Sequence, residues 1–171
     1  EMLDVARDLG VDLLQFSLAL PLTRAMGERY ERVLREEWGV LEPHSWQGHL
    51  MEDPGMDLHR LREDLLDVFS RPQPFALNLF PRIAPDRLLE FYERPEHDFG
   101  IDRCYQANFQ ADILPDGRVT YCHDLTDLTF GSIAEQSLHD IWTNEESGRF
   151  RRFLEQRRLG ICSRCCSFFA H

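Results

Sequence analysis

The sequence contains no run of about 20 apolar residues, the length a helix needs to cross a bilayer, and its first residues carry no basic-then-apolar signal segment. The 171-residue chain is therefore read as cytoplasmic, with no membrane partner. It also lacks basic excess. Asp and Glu outnumber Lys and Arg by 30 to 19, and the net charge of −11 argues against a general nucleic-acid-binding surface, which needs a basic face. Internal repeats and low-complexity tracts are missing. So is an even set of cysteines: five of them, without secretory features, make a poor disulfide framework, and metal binding or thiol redox chemistry moves ahead.

The residues that are present suit one ordinary domain, or a small domain plus part of another. The chain is 43% hydrophobic and 29% charged, with twelve Phe and three Trp to build a core. It opens at Glu1 directly in a helix-like pattern, as a piece of something longer would. The basic run Arg149-Phe150-Arg151-Arg152, echoed by Arg157-Arg158, reads as a solvated helix face near its C-terminal end.

Periodicity organises the first half as α/β. A helix over residues 1–10, stopped by Gly10, leads into a largely apolar strand over 11–18, the helix-to-strand joint of a parallel sheet. Met26, Tyr30, Val33 and Leu34 predict an amphipathic helix over 24–37, closed by Trp38 and Gly39. Residues 40–54 have no clear period and read as a long loop, whose His44, Trp46 and His49 receive no site role. A helix over 56–70 carries Leu58, Leu61, Leu65, Leu66 and Phe69 on one side. A strand over 74–80 and a helix over 84–92 follow, the latter with Leu88, Leu89 and Tyr92 inward and Pro85 in its first turn. The polar run 93–98 is the candidate boundary between a unit of residues 1–95 and one of residues 96–171.

Beyond that boundary Phe109, Ala111 and Ile113 alternate with polar residues, Leu114-Pro115-Asp116-Gly117 supplies turn chemistry, and 118–122 is the return strand of a hairpin. Ser137 caps a short helix over 138–142, and Asn144 starts another that runs through 156 and ends at Gly160.

All five cysteines lie in this second half. Cys162-Ser163-Arg164-Cys165 is a CxxC, a spacing that turns two thiolates toward one metal but serves zinc, iron–sulfur and redox sites alike. A thioredoxin-type pair would open a helix after a strand, whereas this one follows a helix at the end of the sequence. Cys104 and Cys122 flank the hairpin turn, with twelve residues before Gly117 and four after it. Cys104, Cys122, Cys162 and Cys165 are the candidate ligands of one metal centre, an iron–sulfur cluster first and zinc as the alternative. A straight hairpin would carry Cys104 past the point opposite Cys122, so residues 104–108 must fold back for both to reach it. Cys166 ranks below these four, as a spare, a buried apolar residue or a replacement ligand. His123 reads as solvent-facing.

In order, Cys104, Pro115-Asp116-Gly117, Cys122, Gly131-Ser132-Ile133, Gln136-Ser137-Leu138, Asp140-Ile141-Trp142, the helix with Arg149 to Arg152, and Cys162 with Cys165 resemble the SPASM or twitch auxiliary-cluster domain of radical S-adenosylmethionine enzymes. The resemblance covers about the last 70 residues. It implies a small α+β domain with a β-hairpin and two helices, holding an auxiliary [4Fe–4S] cluster that relays an electron or helps position substrate. It also implies that residues 1–95 are the tail of a partial (β/α) barrel. No CxxxCxxC occurs, so S-adenosylmethionine and the second [4Fe–4S] cluster that cleaves it would belong only to the full-length parent, a radical oxidoreductase or maturase. The chain alone is then inactive, and no residue in it is assigned a catalytic role. Fuller SPASM domains carry seven cysteines and two clusters; here the sequence stops at His171, six residues after Cys165, where a further cysteine is expected, so one cluster is counted. Partners implied are an electron donor and the parent's peptide or small-molecule substrate. Phe130, Trp142, Phe168 and Phe169 are candidates to shield the centre, against ordinary core packing, the stronger reading for Trp142.

Overall fold

A computed structural model describes residues 1–169. Among these residues there are six α-helices and two sheets of two strands each, an α/β arrangement followed by a small α+β region. No helix among them is long and apolar enough to cross a membrane.

The first half runs α1 (Met2–Leu9), β1 (Leu13–Ser17), α2 (Arg24–Trp38), α3 (Leu58–Ser70), β2 (Ala76–Phe80) and α4 (Leu88–Glu93). β1 pairs in parallel with β2 from Leu13↔Ala76 to Ser17↔Phe80, with α2 and α3 in the crossover that a parallel pair requires. α2 starts where Thr23 Oγ1 accepts from Met26 N at 3.3 Å and stops at Gly39, whose φ of 67° only glycine adopts freely. Its Met26, Tyr30 and Leu34, spaced four apart, are all buried.

The loop after α2 makes a single 3₁₀ turn (Ser45–His49) that lays Trp46 against the helix. A Cβ at Gly27 would stand 2.2 Å from that indole ring, so only glycine leaves it room. The indole Nε1 donates to Glu31 at 2.9 Å, and Asp127 holds the loop by accepting from the backbone N–H groups of His44 and Ser45, both at 3.0 Å.

The second half comprises β3 (Asp112–Ile113), β4 (Val119–Thr120), α5 (Leu138–Thr143) and α6 (Glu145–Gln156). Ser137 caps α5, and Asn144 both caps α6 through Ser147 N (2.8 Å) and donates to Phe130 O (2.9 Å). Val119, Tyr121, Phe130, Phe150 and Ile141 form the inner wall, and the buried core continues from Leu22 through to Phe169 as one cluster.

Several expectations shift. The strand β1 is not enclosed: Leu13 is 53% exposed, because a two-stranded sheet leaves its outer edges without neighbours. The helix expected over 84–92 begins as a 3₁₀ turn (Pro85–Arg87), which rotates the following turn so that Phe91 rather than Leu89 joins the buried set. In α3 Leu66 faces out, and in the hairpin Phe109 and Ile113 are exposed. The arginine run is mid-helix and not simply solvated. Arg151 lies over the Trp142 ring at 4.2 Å and donates to the carbonyls of Ala107 and Trp142 at 2.8 and 2.9 Å. All nineteen basic residues are arginines, whose planar forks suit this capture of carbonyls and rings where a lysine ammonium would not.

Candidate metal centre

Three short stretches bring four thiols to one place. The chain turns at Gln106–Asn108 just after Cys104, folding that stretch back over the hairpin. The return strand expected over 118–122 is only Val119–Thr120, and Cys122 stands two residues beyond it, with its N–H on Thr120 Oγ1 at 3.3 Å and its carbonyl accepting from Leu125 N at 3.1 Å. Cys162 and Cys165 lie in successive tight turns, since Cys165 N donates to Cys162 O and Phe168 N to Cys165 O, each at 3.1 Å. Cys104, Cys122, Cys162 and Cys165 all line one cavity, walled by Tyr121, Leu125, Leu154, Leu159, Ile161 and Phe168. Gln106 and Ser167 are the polar residues among its lining. None of the cysteines is in a disulfide.

Among the described residues no basic side chain lines this cavity, and the thiols of Cys104, Cys122 and Cys162 are correspondingly hard to ionise. Burial, opposed by a backbone N–H and the charge of Arg158, leaves the Cys162 thiol pushed up to about 12. Burial also pushes Cys122 well above the usual thiol range, with Cys162 and Cys104 adding to the shift as neighbours. Cys104 is raised by burial and partly relieved by the Gln106 N–H. Reactive dithiols need a lowered pKa and an electropositive setting, so this environment is wrong for a thiol redox pair. It is right for a metal, because the positive charge that four thiolates require would come from the metal itself. An iron–sulfur cluster therefore fits the residues present.

The CxxC is fixed by its own Arg164, a residue that no motif singled out. Its side chain is fully buried and donates to Arg94 O at 2.5 Å and His97 O at 2.9 Å, while its guanidinium lies 4.6 Å from the centre of the Phe91 ring. Burial lowers it to about 10, so it stays cationic at neutral pH. The fork ties the CxxC turn to the residues just after α4.

Of the aromatic residues considered as shields, Phe168 lines the cavity. Phe130 packs on Tyr121 and Phe150, Trp142 on Tyr121, and Phe169 on Phe91 and Phe99. These are core contacts. Cys166 and His123 do not line the cavity; they meet each other and Asp124 beside it, with the Cys166 thiol also against that of Cys165. There the hydrogen bond to Cys166 lifts the His123 imidazole to about 9, with the Asp124 charge adding to it. Asp124 went unnoticed in the sequence, where only its place two residues after Cys122 would have drawn attention to it. His171 lies outside the described residues.

Residues 104–166, the span from the first of these cysteines to the last, match the family model of the SPASM iron–sulfur cluster-binding domain. The match covers 63 of the 171 residues and agrees with the resemblance carried by the motifs of this segment. No curated protein and no solved structure matches the chain.

Proposed function

We propose that Cys104, Cys122, Cys162 and Cys165 hold an auxiliary [4Fe–4S] cluster, and that the chain is the C-terminal part of a radical S-adenosylmethionine oxidoreductase or maturase. The observation that carries this reading is the meeting of four thiols, from stretches up to 61 residues apart, at one apolar cavity within a SPASM segment. When bound, such a cluster supplies a one-electron redox centre. The chain's own residues do the rest. The four thiols give up their protons to become ligands, and Leu125, Leu154, Leu159, Ile161 and Phe168 exclude water around them. Four cysteine ligands leave no iron open to substrate, which favours electron relay or structural support over direct substrate binding.

Residues 1–95 are read as the tail of the parent's partial barrel, and 96–171 as the auxiliary domain. Support for the barrel comes from the parallel β1–β2 pairing and from the exposed Met2, Val5, Leu9 and Leu13 beside it. The chain lacks CxxxCxxC, so the step that generates a radical belongs to the parent, as do its electron donor and its peptide or small-molecule substrate.

Anaerobic reconstitution with iron and sulfide tests the reading. Wild type is expected to take up about four iron per chain, and Cys122→Ser to lose most of it, because a serine hydroxyl is a far poorer ligand for iron–sulfur clusters than the thiolate it replaces. Unchanged iron in Cys122→Ser overturns the assignment. Zinc held by four sulfurs, with no iron even after reconstitution, would instead make this a zinc-stabilised binding module.

A further inference from the structure

Beside the cysteine cavity a second set of donors converges. Cys122 and Cys165 face the cavity, while their neighbours His123, Asp124 and Cys166 lie outside its lining. Those three side chains are within 4.8 Å of one another through one ligand atom each. Cys166 Sγ is 3.3 Å from His123 Nε2 and 3.0 Å from Asp124 Oδ2, and His123 Nε2 is 3.3 Å from Asp124 Oδ2. Bonds of about 2.0–2.3 Å at tetrahedral angles hold neighbouring ligand atoms about 3.3–3.7 Å apart. The nitrogen, sulfur and oxygen already form a triangle close to that size.

The surroundings favour an ion at this triangle over other uses of the same residues. His123 Nδ1 faces Ser167 Oγ at 3.3 Å, the kind of outer contact that fixes which ring nitrogen a metal receives. A Cys–His–Asp nucleophile would place the cysteine at one ring nitrogen and the carboxylate at the other, whereas here both approach Nε2. Cys166 is 6% exposed, but the side chains of His123 and Asp124 are 35% and 27% exposed. The triangle is therefore backed by protein and open to water on one side, leaving room for a fourth ligand.

We propose that His123, Asp124 and Cys166 form a mononuclear site for a borderline divalent transition metal, with zinc as its reference ion, adjacent to the four-cysteine centre and sharing no ligand with it. Thiolate and imidazole together select such an ion over magnesium or calcium. Bound there, it joins the turn after β4 to the turn that follows the CxxC, the two stretches that carry Cys122 and Cys165. The site uses none of the four cavity thiols, but the Cys166 thiol lies against that of Cys165, so iron content in the Cys166 variant is the measurement that separates the two centres.

The test uses the full chain, reconstituted anaerobically with iron and sulfide, then equilibrated with zinc and freed of excess metal. About one zinc per chain is expected beside the iron, with a single sulfur among its ligands by zinc-edge X-ray absorption. His123→Ala and Cys166→Ala should lose that zinc while keeping wild-type iron content and brown absorption, and Asp124→Asn should weaken it. Ser167→Ala should lower zinc affinity roughly tenfold, as loss of an outer partner does. Retained iron shows that a variant is folded. Zinc unchanged in Cys166→Ala, or no zinc above background, would each overturn the site. Loss of iron with Cys166→Ala would also overturn it, by making Cys166 a ligand of the other centre. A wild-type chain that takes up no iron breaks the four-cysteine reading alone, since the zinc count would still drop on Cys166→Ala.

Discussion

The two sheets of this chain are unequal in the sense opposite to their lengths. β1 and β2 pair over five residues, yet no residue of β1 is fully buried and Leu13 is half in water. β3 and β4 pair over two residues, yet Val119 and Thr120 are at most 1% exposed. The difference lies in what stands around each strand. β4 is also bonded on its other side, through Val119 N to Gly131 O and Phe130 N to Val119 O, both at 2.9 Å, and Tyr121 just after it stacks on Phe150 of α6. β1 has β2 and little else. Ladder length is thus a poor guide to stability in this molecule, and enclosure is the better one.

The comparison is broken most directly by paired truncations. Phe150, 1% exposed and packed on Trp38, Tyr121 and Phe130, should cost about 3–5 kcal/mol as Phe150→Ala in chemical denaturation. Leu13→Ala should cost less than about 0.5 kcal/mol, as exposed substitutions do. Similar costs for the two would mean that the halves are equally enclosed.

The seam between the halves gives the next effect. Gly160 touches α2 so closely that a Cβ would stand 2.7 Å from Arg29 Cβ and 2.8 Å from Met26 O. It does not end α6, which stops at Gln156; it lets the segment before the CxxC approach the helix. Gly160→Ala should destabilise by about 1–3 kcal/mol as an overpacked contact, and a neutral result would show the seam to be loose. Asn144→Ala, which removes the cap of α6 and the bond to Phe130 O, should cost about 1 kcal/mol and be visible as a lower thermal midpoint.

The smallest effect concerns the linker. The Gly100 N–H, and then Arg158, hold the Asp98 carboxyl below the ordinary 3.8. A folded pKa lowered in this way contributes stability above the ordinary carboxylate range, and the contribution disappears as pH falls through it. Between about pH 5 and pH 3 the thermal midpoint of wild type should therefore fall slightly more steeply than that of Asp98→Asn. Parallel curves would mean that this contact adds nothing to the joint.

Much of the second half was legible because its signals are local. Ser137 and Asn144 cap the helices expected of them, and the four cysteines expected at one centre line one cavity. The first half was legible in its order of elements but not in its burial, since an apolar strand such as residues 13–17 does not itself say how many neighbours it has. Arg151 was read as solvated and Arg164 drew no notice, for a related reason. A charged residue reads as solvated until the carbonyls and rings that receive it are known, and those of Arg164 lie 67 and 70 residues away.

Sequence alone determined the helix periods, the caps, the glycine turns and the cysteine spacing, because each depends on residues a few positions apart. Tertiary structure decided which sides of the CxxC and of Cys122 face each other. It set four thiols inward around an apolar cavity, and it set His123, Asp124 and Cys166 together beside them. Contacts between distant stretches depend on how whole elements pack, and no local pattern encodes that.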